Sequence, residues 1–364
     1  MKKLVEYRRL GLFVLITLTL TILTIVTVGR KPAAQGKTTP LSQAAAAVDS
    51  SSAPDQAALE LIHSTIDRIE QLQSISTELE IDSYLFGETY KGVGKYEELL
   101  SRTEQRPSPS GQSNTAGARP ARARRLSPLE WSRFRLHVKM LPIDAKVRQE
   151  HEEESVLEVV CDLKALWTYR KIEGSESLTQ LHIEDLANCL SRLTEEEKAS
   201  LADNAVERPC GMSGLPGLGG VSGLLRRFLV FYDFLTPPED MALDNGRFPV
   251  WKISASLKKE HRQLMKNKLL ADDPVARRTL LETVPTNLEL FIGKERPFPY
   301  RIRYYSQWDE ENLTPQPICS ISFNPYYENV ASINPQNFIY GPPPLNYDRI
   351  NDRYLLELVP GIEL

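Results

Sequence analysis

Trp131 to Met140 reads WSRFRLHVKM, in which Phe134, Leu136, Val138 and Met140 alternate with Arg133, Arg135, His137 and Lys139. Side chains of a strand point alternately to opposite faces, so this segment is a strand with one apolar and one charged face. Downstream, Val156 to Cys161 and Ala165 to Ile172 flank a turn at Asp162-Leu163-Lys164 and predict a hairpin. Further strands are expected at Trp251 to Leu257, Thr286 to Ile292, Tyr300 to Ser306, Ile318 to Phe323 and Tyr354 to Val359. Short strands separated by turns argue for an antiparallel sheet whose two faces differ.

Working back toward the N-terminus, Gly92-Val93-Gly94-Lys95-Tyr96 and the stretch from Ser76 to Tyr90 also read as β structure. Before them, Leu59, Ile62, Ile66, Ile69 and Leu72 recur at spacings of three and four, giving a helix with one apolar stripe. Asp55 is its expected N-cap. Three more helical segments are expected: charged Leu181 to Ala202, strongly apolar Val221 to Phe234, and the insertion at 258–281, rich in lysine.

The chain begins with a basic segment, residues 1–9, followed by an uncharged and mostly apolar run from Leu10 to Val28. As a helix that run is about 28 Å long, close to the roughly 30 Å hydrocarbon core of a bilayer. The positive-inside rule keeps MKKLVEYRR in the cytoplasm. An uncleaved transmembrane anchor is the expectation, with a cleaved signal peptide as the other outcome. Residues 29–54 (GRKPAAQGKTTPLSQAAAAVDSSSAP) hold too few large apolar residues to fold and read as a flexible tether. Residues 55–364 have the length of one large domain or two ordinary ones and carry the low-complexity loop 106–125.

Net charge is −4 with 25% charged residues, so no overall field favours nucleic acid. The four cysteines, Cys161, Cys189, Cys210 and Cys319, are too widely spaced for a zinc pattern. They permit disulfides in an oxidising compartment, and the pairing is left open. His63, His137, His151, His182 and His261 form no metal-binding motif. There is no G-x-S-x-G elbow, and Gly214 to Gly220 (GLPGLGG) lacks both the spacing and the lysine of a phosphate loop. It reads as a hinge. No enzyme, cofactor or metal is expected.

The order of these elements resembles the LolA-like periplasmic lipoprotein carriers and the half-open β-barrel lipoprotein-binding superfamily around them. The residues that carry the likeness are WSRFRLHVKM, the hairpin VVCDLKALWTYRKI, Phe248 to Ile253, the pair Pro285 to Gly293 and Phe298 to Ile302, and Ile333-Asn334-Pro335 with Phe338, Tyr340 and Pro342. Leu163 stands where the family's hairpin has glycine, and leucine resists the positive φ of a type I′ turn.

The resemblance implies a single β-rich domain over residues 55–364 with an α+β fold, in which a large curved antiparallel sheet, a half-open β-barrel, wraps around helices behind the N-terminal transmembrane helix. It also implies an envelope carrier or sensor, anchored in the inner membrane or free in the periplasm. Its partners would be lipid acyl chains or an acylated lipoprotein, with an envelope protein partner possible, membrane contact through the N-terminal helix and no nucleic acid. Alternation then gives the ligand-facing candidates: Phe134, Leu136, Val138, Leu157, Val159, Trp167, Tyr169, Trp251, Ile253, Leu288 and Leu290. A segment from Val221 to Phe234, hinged on the preceding glycines, would be the lid. The alternative is a membrane-tethered structural or interaction protein with the same fold and a filled cavity.

Overall fold

In the computed structural model the described residues are 55–85, 88–100, 132–142, 155–172, 175–185, 188, 219–244, 246–263, 285–307, 315–330, 333–341 and 346–350. The expected anchor (10–28), tether (29–54), loop 106–125 and strand 354–359 lie outside them. Among the described residues no helix is long and apolar enough to cross a membrane.

Helix α1, Gln56–Ile69, starts where expected, with the Asp55 side chain accepting from the Ala58 N–H. Its stripe of Ile62, Ile66 and Ile69 is fully buried. Thirteen strands follow: β1 (Ser74–Leu85), β2 (Glu88–Leu99), β3 (Arg133–Pro142), β4 (Ser155–Cys161), β5 (Ala165–Ile172), β6 (Ser175–His182), β7 (Tyr232–Phe234), β8 (Glu239–Leu243), β9 (Phe248–Leu257), β10 (Asn287–Gly293), β11 (Pro299–Ser306), β12 (Gln316–Glu328) and β13 (Asp348–Arg349). Helix α2, Gly220–Phe231, lies between β6 and β7. Of the other two expected helices, residues 183–185 and 259–263 are helical, and most of the rest of each lies outside the described residues.

All strands join one sheet in the order β13-β6-β5-β4-β3-β2-β1-β12-β11-β10-β9-β7, with β8 also paired to β9. The expected antiparallel sheet needs one correction: β13 runs parallel to β6, so the sheet is mixed. The C-terminal segment crosses the sheet and returns alongside β6 rather than turning back in a hairpin. Asn337 accepts from Arg135 on the way, and the Ile350 N–H closes onto Gln180 O.

The β4–β5 turn shows how the sequence departs from its own local preference. Leu163 takes φ 76°, a left-handed conformation that costs an L-residue roughly 1–2 kcal/mol. Asp162 holds it there by accepting from the backbone N–H groups of Lys164 and Ala165 at 2.8 and 2.7 Å.

Candidate functional site

Register decides which face each side chain occupies, because directly paired residues share a face. Leu136 pairs with Tyr96 and Val159, and Leu290 pairs with Ile253 and Ile302. These residues and both helices belong to one apolar cluster. Of the candidates, Phe134, Leu136, Val138, Leu157, Val159, Ile253, Leu288 and Leu290 lie on this helix-bearing face, each at most 5% exposed.

Three candidates lie elsewhere or differently. Val159 pairs with Thr168, which puts Leu166, Thr168 and Arg170 on the helix-bearing face. Trp167 and Tyr169 therefore point to the opposite face, a correction to the alternation read from the sequence. Trp167 stacks on Tyr340 at 5.3 Å and meets the edge of Tyr347 at 5.1 Å, both from the C-terminal segment. Trp251 shares the face of Ile292 but is only partly buried. The Lys294 ammonium sits 4.1 Å from its ring and is itself held by Asp240.

Helix α2 covers the apolar face with Val221, Leu224, Leu225, Phe228 and Phe231. It packs against α1, to which the Arg226–Glu70 ion pair ties it. The chain enters it through Gly219 at φ 84° and Gly220 at φ 62°, two consecutive left-handed residues. Glycine is the residue that adopts these angles without steric cost.

A buried carboxyl meets the start of this helix. Glu98 follows Gly92, Gly94 and Tyr96 on the inward face of β2 and is 0% exposed. Its Oε2 accepts from the Tyr96 hydroxyl at 2.8 Å and the Val221 N–H at 3.3 Å. Oε1 has no hydrogen-bond partner among the described residues and faces Gly220. Burial raises the pKa of Glu98 despite these donors, and raises that of Tyr96 well above its ordinary value. The sequence reading passed over Glu98 within KYEELL. The alternation Gly92, Gly94, Tyr96, Glu98 was the signal that would have turned it inward.

Two cysteines, Cys161 and Cys319, are free thiols buried in the same cluster. Among the described residues no group of three histidine, cysteine or carboxylate side chains is placed to hold a metal ion.

No protein-family model matches the chain, and no curated protein matches it. Solved structures similar to it include a DUF1329 family protein from Desulfovibrio piger, 10% identical, covering 79% of this chain and 98% of its own at a TM-score of 0.30. LprF from Mycobacterium bovis is 9% identical, covering 78% and 99% at 0.31. An outer membrane lipoprotein-sorting protein domain from Vibrio parahaemolyticus is 7% identical, covering 77% and 95% at 0.28.

Proposed function

We propose that the chain is a non-catalytic protein of the bacterial envelope that binds lipid acyl chains, free or carried on a lipoprotein, as a carrier or sensor. The observation behind this reading is the continuous apolar face of the sheet, closed by a helix that enters through two left-handed glycines. In this reading the sheet curves into a half-open barrel, and α2 is the cover that an acyl chain displaces.

The energies permit the exchange. The five side chains that α2 buries contribute about 1.5–3 kcal/mol each, or about 7–15 kcal/mol together. An acyl chain of about sixteen carbons, at about 0.8 kcal/mol per CH₂, gains on the order of 12 kcal/mol from the same surface. A lipid can therefore replace the helix without any polar contact. An anchor at 10–28 would keep the domain at the inner-membrane surface, where such chains and an envelope partner protein are available.

A second reading, a tethered interaction protein with a filled barrel, is favoured by the near-complete burial of the inner face beneath the chain's own helices. Photo-crosslinking separates the two. Cells expressing the full chain are fed a diazirine fatty acid, irradiated, and the protein's crosslinked peptides are mapped. Crosslinks on the peptides of β3 and β9 support lipid binding. Crosslinks confined to residues 10–28 would report bilayer contact alone and would leave the filled barrel.

A further inference from the structure

Glu98 and the first turn of α2 form a junction that the apolar reading does not use. The carboxyl is fully buried, yet one oxygen accepts from the Val221 N–H in the helix's first turn and the other faces the glycine at its start. There is no room at 220 for any side chain, since a Cβ there would fall inside the carboxylate. Lifting α2 off the sheet would break the Val221 contact and admit water to Glu98. We propose that seating of α2 on the sheet is coupled to proton uptake at Glu98, so that acid seats the helix and alkali loosens it. This deepens the acyl-binding reading and rests on α2 being the cover.

The sign follows from the surroundings. Burial raises the carboxyl's pKa when the helix is seated, and water returns it toward the ordinary value when the helix lifts. The seated form thus holds the proton more tightly. Its advantage is full below the ordinary carboxyl pKa and is lost as pH rises toward the raised one.

The groups facing Glu98 are Tyr96 from β2, the Ser132 hydroxyl just before β3, Cys161 from β4 and Glu70 at the end of α1, and Arg227 of α2 lies near Tyr96. Tyr96 is held neutral by burial, and the Cys161 thiol is pushed up to about 12. Glu70 is paired with Arg226. Glu98 is the fully buried carboxyl at this end. At the other end of α2, His261 packs on Phe231 at 5.3 Å, and burial lowers its pKa. Its protonation in acid would loosen that end, the opposite sense.

The test is hydrogen exchange of the full chain in lipid nanodiscs, corrected for intrinsic rates, followed from about pH 5 to about pH 8. Protection of the 221–226 amides is expected to fall several-fold across this range, and Glu98→Gln, which keeps His261, is expected to flatten the profile. The Leu288–Ile292 amides report whether the variant is folded. If Glu98→Gln does not fold, Tyr96→Phe carries the test. It removes a donor to the ionised carboxyl, so the transition should move to higher pH. A flat profile in the parent protein, a Glu98→Gln profile that tracks it, or an unmoved Tyr96→Phe profile would each overturn the coupling. Fatty-acid crosslinks on β3 and β9 without pH-dependent exchange would sink the coupling alone. The reverse pattern would sink the acyl-binding reading and leave a proton-linked helix.

Discussion

Glu98 and Gly220 share a space that admits no Cβ: the backbone that opens α2 lies directly on the carboxylate of β2. Gly246, by contrast, takes φ 92° with no atom within 4 Å of an added Cβ, and Leu163 takes φ 76° in a turn held by Asp162.

Gly220→Ala should destabilise strongly, because it adds overpacking against Glu98 to the strain of φ 62°. We expect a loss of about 2–5 kcal/mol from the two effects together. Gly246→Ala, at φ 92° with nothing within 4 Å of the added atom, carries strain alone and should cost about 1–2 kcal/mol. Denaturant midpoints of the two variants measure the difference. Equal losses would mean that the clash is absorbed.

Leu163→Gly should stabilise the protein. Leucine at φ 76° costs roughly 1–2 kcal/mol, and glycine removes that strain while giving back part of it as unfolded-state entropy. The expected net gain is about 0.5–1 kcal/mol, read as a raised melting temperature.

Trp167→Ala should release the C-terminal segment before it affects the rest of the sheet. The ring stacks on Tyr340 and meets Tyr347, contacts worth about 0.5–1.5 kcal/mol each beyond burial. Exchange of the Ile350 amide, bonded to Gln180 O, should accelerate while the Leu288–Ile292 amides keep their protection. Simultaneous loss at both sites would show that the segment is integral to the core.

The thiols of Cys161 and Cys319 should resist labelling in the folded protein. Burial pushes Cys161 up to about 12 and Cys319 further. A thiol with pKa near 12 is thiolate in only about one molecule in ten thousand at about pH 8. Peptide mapping after iodoacetamide should find both unmodified until denaturant is added. Any residual reactivity should climb with pH and level off only as the raised values are reached.

The strands were legible wherever one face meets solvent. RFRLHVKM lies in β3 with its apolar residues inward as alternation requires, and the segments holding Ile253, Leu288 and Ile302 behave likewise. Alternation failed at ALWTYRKI. There the C-terminal segment covers the second face with Tyr340 and Tyr347, so the strand holds large residues on both sides. A strand buried on both faces loses its two-residue period, and the aromatic pair Trp167 and Tyr169 suggested the wrong phase. Strands β7, β8 and β13 are short and exist through their pairing partners, which a local pattern does not encode. Glu98 was missed because a glutamate reads as surface unless its neighbours two and four residues earlier are placed first.

The position of β1 has a consequence for biosynthesis. Of the described strands this one is made first, yet it sits in mid-sheet, bonded on one side to β2, its successor, and on the other to β12, near the end of the described residues. While the polypeptide emerges, β2 to β6 can pair in succession, each with the strand just completed. One edge of β1 must stay open until β12 is synthesised, and an open apolar-faced edge recruits foreign strands. If synthesis is slow, the nascent protein passes through a long-lived half-sheet, the stage at which a chaperone would have most to protect.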